Sequence, residues 1–278
     1  MNTEVTGSAG VRLRVRVEGP DTARPIVFVH GWAQSSLAWS AQLADPALRE
    51  RFRLVAMDLR GHGASDVPAD GYDDPRAWAG DLAAALEFAG DDAIVVGWSY
   101  GGLVITDYLR VHGTARIGGI VLVGAITEIG RGRAGGRTGP VMRAALPAAL
   151  AEDAEVAVPA LVEFARAQSS SAVPGSFTQA LLGASLAVPP SVRAALFKRD
   201  VESADVLAKI DKPALVIHGT ADGVVDPSAA EYSAGKIPGA VLRWFVEAGH
   251  LPFAENSEEF NSALRRFSGE QPNSAQEQ

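Results

Sequence analysis

The sequence predicts an α/β protein in which a mostly parallel sheet is covered by helices on both faces. Two observations carry that prediction. Short, nearly continuous apolar runs, each bounded by Gly, Asp or Pro, recur along the chain, as expected of strands buried on both faces of a parallel sheet. Segments with helical apolar spacing lie between them, and strand–helix alternation calls for crossover connections.

Taken in order, residues 11–17 (VRLRVRV) alternate apolar and charged with period two and read as a half-exposed edge strand. Apolar runs come next at 25–29 (PIVFV), 53–57 (RLVAM), 93–96 (AIVV), 117–123 (IGGIVLV), 214–217 (ALVI) and 241–246 (VLRWFV). Helices are expected over 38–50, over 76–89 with Trp78, Leu82, Ala85, Leu86 and Ala89 on one face, and over 100–112. The alternation breaks from about 127 to 205, a region rich in Ala, Pro and Gly with helical pieces such as PVMRAALPAALAE and PALVEFARAQ. Its Leu, Val and Phe content favours a helical insertion over a disordered linker. The organisation expected is therefore a core of 1–126 and 206–270, a helical cap or lid of 127–205, and a flexible tail of 271–278.

The chain of 278 residues has a formal charge of −8 and no cysteine. That charge argues against nucleic acid or an anionic membrane as the main partner, since both need a clustered positive surface. The absence of cysteine removes disulfides, thiolate nucleophiles and thiolate metal sites, and leaves the redox compartment open. No secretory signal and no apolar run near ~20 residues is visible, so a cytoplasmic location without a membrane span is expected. No cofactor and no metal are expected, because no group of histidines and carboxylates has ligand spacing.

The chemistry-bearing stretch is Gly97-Trp98-Ser99-Tyr100-Gly101, with the spacing G-x-S-x-G. In a chain with 29 glycines such a match can arise by chance, so its context decides. Ser99 comes after the buried strand 93–96 and precedes a helix starting near Tyr100, the strand–turn–helix setting of a nucleophile elbow. The turn demands small neighbours, and the helix start offers unpaired N–H groups and a positive dipole end. A serine hydroxyl needs a base, and the base an orienting acid. Of the five histidines, His112 reads as a helix C-terminal residue, and His30, His62 and His218 read as residues that satisfy loop backbone. His250, in VEAGHLPFAENSEEF, stands on a loop after the last strand, where a ligand-facing side chain is expected. For the acid, Asp222 lies a few residues past the 214–217 strand; Asp226 in the same loop is its rival and Glu128 a more distant one.

These pieces together resemble the α/β-hydrolase superfamily from Val11 to about Phe267. The resemblance rests on VHGW at 29–32, MDLRGHGASD at 57–66, VGWSYGG at 96–102, IHGTADGVVDP at 217–227 and AGHLPFAE at 248–255, in the chain order Ser, Asp, His. It implies an eight-stranded, mostly parallel sheet with an inserted helical cap. It also implies Ser99 as nucleophile, His250 as general base, Asp222 as acid, and an oxyanion hole from the backbone N–H groups of Trp32 and Tyr100.

Relatives that open alkyl centres carry Asp at the elbow, so a serine there points to acyl chemistry on an ester, thioester or lactone through an acyl-enzyme. The single-glycine HGW element looks more like the compact esterase and cofactor-free perhydrolase branch than the HGGG type. A transferase or lyase on the same scaffold, or a non-catalytic ligand-binding relative, is the reading from another class. Trp32, Trp98, Tyr100 and Leu251 are expected near the substrate, with Trp98 and Leu251 lining its pocket. The apolar lid favours a small uncharged acyl group. The arginines Arg131, Arg133, Arg137 and Arg143 would suit an anionic carrier such as coenzyme A or an acyl carrier protein, or else decorate a solvated loop. Oligomeric state is not legible.

Overall fold

The computed structural model describes residues 1–269, so the expected tail at 271–278 and the last expected core position, 270, lie outside the described residues. The chain opens with β1 (Asn2–Thr6), β2 (Arg12–Glu18) and β3 (Arg24–Val29). A 3-10 turn at Ser36–Trp39 leads into α1 (Ser40–Ala44) and α2 (Pro46–Arg51), then β4 (Phe52–Met57), α3 (Pro75–Ala89), β5 (Ala93–Trp98), α4 (Tyr100–His112) and β6 (Ile117–Val123). Between β6 and β7 (Ala214–Gly219) come α5 (Pro140–Ala149), α6 (Ala154–Ala167), α7 (Gly175–Ala187), α8 (Pro190–Ala195) and α9 (Ala204–Leu207). The chain ends through α10 (Ser228–Lys236), β8 (Val241–Phe245), α11 (Pro252–Glu255) and α12 (Ser257–Gly269).

The strands form one eight-stranded sheet in the order β1-β2-β4-β3-β5-β6-β7-β8. β2 runs antiparallel to both β1 and β4, and the remaining pairings are parallel. The sheet is thus the α/β-hydrolase architecture that the resemblance implied. One expectation needs correcting: VRLRVRV is not an edge strand, because β1 pairs along its outer side. Its alternation comes from one solvated sheet face, with Leu13, Val15 and Val17 buried while Arg12, Arg14 and Arg16 face outward. β1 itself, the polar NTEVT, carries too little apolar signal to be read as a strand.

The helix expected over 38–50 is broken in two. Pro46 has no N–H to continue α1 and is suited to a helix start, while the Asp45 side chain accepts from the Leu48 N–H at 2.8 Å and caps α2. In α3 the expected face is the buried one, with Trp78, Leu82, Ala85, Leu86 and Ala89 all in the core. The region between β6 and β7 is helical, and an antiparallel bridge between Ile129 and Val201 ties its departing and returning ends together.

Alternate residues of the central strands feed two cores, one on each face of the sheet. Val27 and Val29 of β3 pack with Leu82 of α3 and Leu103 of α4. Ile26 and Phe28 pack on the other side with Trp39, Leu48 and Phe260. The strand order reverses at β3: the chain steps to β4 on one side and later to β5 on the other. In an open α/β sheet, ligands bind outside the carboxyl ends of the strands at such a switch point. The loops that leave β3 and β5 carry His30-Gly31-Trp32 and Ser99. No single helix among the described residues is long and apolar enough to cross a membrane.

Trp39 is the keystone of the second core, fully buried with ring centroids 5.0 Å from Phe28 and 4.6 Å from Phe253. Its indole N–H has no partner among the described residues. Trp39→Ala is expected to cost about 3–5 kcal/mol in urea unfolding, and Trp39→Phe much less, since only ring volume and no hydrogen bond is lost. A Phe variant as unstable as the Ala variant would contradict this packing role.

Candidate active site

β5 ends at Trp98 and α4 begins at Tyr100, so Ser99 alone turns the chain from strand to helix, at φ +54° and ψ −118°. For a residue with a Cβ this region is costly, by about 1–3 kcal/mol. Backbone hydrogen bonds hold it there: the Ser99 N–H donates to Val123 O at 3.0 Å, and the Ser99 carbonyl accepts from Gly102 at 3.0 Å and Ile126 at 3.1 Å. The two motif glycines make the turn possible. A Cβ on Gly101 would collide with the Val29 carbonyl, and one on Gly97 would lie 2.8 Å from the Gly101 carbonyl.

His250 stands in the loop after β8 and is almost wholly buried. Its Nδ1–H donates to Asp222 Oδ2 at 2.8 Å. The other oxygen, Asp222 Oδ1, accepts the N–H groups of Val224 at 2.8 Å and Val225 at 3.0 Å. His218 Nε2 lies 3.1 Å from Asp222 Oδ2 and 3.1 Å from Val225 O. Burial alone would raise the Asp222 pKa; the charge of His250 and the hydrogen bonds from His218 and His250 outweigh it and hold the carboxyl below its usual range. The carboxylate is therefore ionised and directed at Nδ1, which leaves Nε2 of His250 as the basic nitrogen. Among the described residues, neither that nitrogen nor Ser99 Oγ has a protein partner, and neither is sealed among the orphaned buried atoms.

The serine turn and the His–Asp pair meet at Gly124. Ser99 is bonded to Val123, and a Cβ on Gly124 would approach His250 Nδ1 at 3.1 Å and Asp222 Oδ2 at 3.3 Å. Trp98, next to Ser99, donates its indole N–H to the His250 carbonyl at 3.0 Å. Gly31 runs against the serine, since a Cβ there would sit 3.0 Å from Ser99 Cβ. The Trp32 and Tyr100 backbone N–H groups beside it have no hydrogen-bond partner among the described residues. The arrangement offers a hydroxyl, a base with its acid, and two free backbone donors.

Trp98 and Leu251, expected to line the substrate pocket, are both core side chains. Each is 1% exposed, packed in the second core. Trp98 lies against Phe253 and the His250 ring, at 5.1 and 5.4 Å between centroids, so its bulk braces the histidine from below. Trp32 and Tyr100 are also buried side chains. The rivals for the acid serve elsewhere: Asp226 accepts from Ser228, and Glu128 accepts from Gly135, Ser203 and Tyr232. His30 accepts the Leu59 N–H through Nε2 at 3.0 Å, His62 Nδ1 binds Arg60 O at 2.8 Å, and His112 closes α4 before Gly113. In the arginine cluster Arg133 is paired with Asp200 and Glu202 at 3.0 and 2.7 Å, while Arg131, Arg137 and Arg143 are exposed.

Sequence reasoning missed the groups that act through others. His218 is a second donor to Asp222. Glu255 accepts the N–H groups of Gly249 and Leu251 at 2.9 and 3.2 Å, on either side of His250, and those of Ser170 and Ser171 at 3.0 and 2.9 Å. A Glu in the first turn of a helix just past the histidine loop is the available signal, and it does not reveal the partners.

A model of the alpha/beta hydrolase family matches residues 26–263. The chain is similar to an esterase, RhEst1, from Rhodococcus sp. ECU1013, with 45% identity and a TM-score of 0.91 over 96% of this chain and 98% of that one. It is 31% identical to a non-heme chloroperoxidase from Streptomyces lividans, covering 95% of this chain and 98% of the relative. It is 28% identical to a pimeloyl-[acyl-carrier protein] methyl ester esterase from Vibrio campbellii, over 90% and 95%.

Burial and the nearby His30 push His62 down to about 3 against its Arg60 contact, and burial also lowers His30. An unfolded chain protonates these rings near pH 6.5. Between about 6.5 and 3 the unfolded state therefore binds more protons, and stability falls as pH falls. Asp107, pushed up to about 6 by burial against the pull of Arg199, acts in the opposite sense. The discriminating quantity is thus a difference: His62→Gln is expected to lose less of its denaturant midpoint between pH 7 and pH 5 than the wild type. Equal losses would place the acid lability elsewhere.

Proposed function

The chain belongs to the alpha/beta hydrolase family, and on that premise we propose that it is a serine hydrolase of small carboxylic esters acting through an acyl-enzyme. The observation that carries this reading is the buried His250 Nδ1–Asp222 bond, tied to the strained Ser99 turn through the neighbouring Trp98, whose indole N–H donates to the His250 carbonyl. An enzyme of the esterase type agrees with the relatives, among them the esterase RhEst1.

In this mechanism His250 Nε2 takes the Ser99 Oγ proton as Oγ attacks the ester carbonyl. Asp222 holds the imidazole in the Nδ1–H tautomer and stabilises the imidazolium that forms. The carbonyl oxygen becomes an oxyanion that accepts from the Trp32 and Tyr100 N–H groups. Donors of this kind, preorganised in a dry site, are typically worth about 3–4 kcal/mol each. The intermediate collapses, His250 returns the proton to the departing alcohol, and the acyl group stays on Oγ. Water then repeats the sequence, with His250 first as base and then as acid, and releases the carboxylic acid. Residues 127–205 form the cap over this edge of the sheet, and their apolar helices suit an uncharged acyl group. Likeness to the non-heme chloroperoxidase supports a second reading, in which hydrogen peroxide replaces water and a peracid leaves.

Ser99→Ala is expected to abolish p-nitrophenol release from short-chain p-nitrophenyl esters, and His250→Ala nearly so; wild-type turnover by either would sink the assignment. Asp222→Asn is expected to lose about 10²–10⁴ in kcat, while Asp226→Asn stays close to wild type, and the reverse order would reassign the acid. A panel of acyl chain lengths, run with and without peroxide, separates the two readings: perhydrolysis predicts a peracid that Ser99→Ala does not form.

A further inference from the structure

Both proposed oxyanion donors carry side chains that reach into the same stretch of the cap, from Arg193 to Arg199. The Trp32 indole N–H donates to the Arg193 carbonyl at 3.1 Å. The same ring meets Phe197 edge-on at 5.4 Å between centroids and Phe164 of α6 at 5.7 Å. Tyr100 Oη accepts from Arg199 Nη1 at 2.9 Å and faces the Leu196 carbonyl at 3.5 Å. Arg199 is anchored in turn by Nη2, which donates to both carboxylate oxygens of Asp107, at 2.8 and 2.7 Å. Asp107 stands on α4 seven residues after Tyr100, two turns along one helix face. The Arg199 and Asp107 side chains are fully buried.

The other end of the stretch is tied to the cap helices. The Arg193 guanidinium donates to Ala149 O at the end of α5, at 3.0 Å, and to Val188 O just after α7, at 2.7 Å. A buried ion pair is an inefficient source of stability, because desolvation consumes most of its Coulomb energy. Its yield is direction: in the planar guanidinium Nη2 is held on the carboxylate while Nη1 fixes the phenol oxygen.

We infer that Arg193–Arg199 is a strut that couples the seating of the cap to the aim of both oxyanion donors, with the Tyr100 hydroxyl and Arg199 as positioning residues. The inference rests on the reading of the Trp32 and Tyr100 N–H groups as those donors. When the cap is seated, the strut holds the Trp32 and Tyr100 side chains from one side, and the two N–H groups stay converged on the position of the oxyanion. When the strut is loosened, substrate still binds, but the charge that develops in the transition state is met by misaligned donors. The cost therefore falls on kcat, with KM little changed.

The test uses three variants and one combination of them. Tyr100→Phe removes one hydroxyl and keeps the ring. Arg199→Lys keeps the charge and loses the fork. The double replacement Arg199→Met with Asp107→Leu removes the buried pair without leaving a lone charge. Each is assayed for kcat and KM on p-nitrophenyl acetate, for inhibition by a trifluoromethyl ketone that adds to the serine as an oxyanion, and for melting temperature. Tyr100→Phe is expected to lower kcat about tenfold with KM within about twofold. It should weaken the ketone by the same factor while leaving its melting temperature near wild type. The double replacement should show the same fractional loss, and adding Tyr100→Phe to it should cost little more. Full kcat in Tyr100→Phe, or a loss confined to KM, would overturn the strut. If Ser99→Ala is inactive in the same assay, that outcome removes only the strut; if Ser99→Ala is active, the underlying acyl-enzyme reading fails with it.

Discussion

A single residue, Ser99, is held at φ +54° between the last residue of β5 and the first of α4, and much of the molecule answers to that constraint. No loop residue intervenes, so the hydroxyl cannot be placed by flexible backbone. It is placed by the approach of α4 to β3, which is close enough that a Cβ on Gly101 would strike the Val29 carbonyl. That approach depends on the parallel pairing of β3 with β5 and on two cores that clamp the sheet from both faces. The strain of the turn, about 1–3 kcal/mol, is small beside the burial that maintains it.

Around the carboxyl ends of the strands, loops are pinned by a repeated device: one carboxylate that accepts backbone N–H groups. Asp58 takes Ser36 and Ala64 at 2.7 and 2.9 Å. Glu128 takes Gly135 and Ser203 at 3.0 Å each, and so closes both ends of the helical region between β6 and β7. Asp222 takes Val224 and Val225 as well as His250, and Glu255 brackets the histidine loop. Charge-assisted bonds of this type are roughly twice as strong as neutral ones. Part of the acidic excess of the chain, −8 overall, thus lies inside, fixing loops, and says little about what the outer surface attracts.

Periodicity and local chemistry made the central features legible in the sequence. The continuous apolar runs mark the central strands because both of their faces are buried, and the α3 face is visible in its spacing. The strand–turn–helix setting marks Ser99 as the candidate nucleophile, and strand-end position offers His250 and Asp222, two candidates that the structure joins by a hydrogen bond. The misses come from tertiary context. β1 is polar and takes its place only by pairing with β2, while Pro46 cuts a helix that apolar spacing alone would continue. Trp98 and Leu251 flank the candidate residues Ser99 and His250 in sequence, but side chains on adjacent positions point to different places, and both turn into the core. Glu255 also meets Ser171, 84 residues away, and Arg199 meets Asp107, 92 residues away, and no local pattern encodes such partners.

The acyl-enzyme assignment stands most directly on one covalent bond. Incubation with a dialkyl aryl phosphate, with intact-mass measurement and peptide mapping afterwards, reads out which side chain attacks an electrophilic centre under the direction of His250. The expected result is one dialkylphosphoryl group per chain, located on Ser99, formed in step with loss of esterase activity and absent from His250→Ala. An adduct on another residue, or full activity in the protein labelled at Ser99, would contradict it.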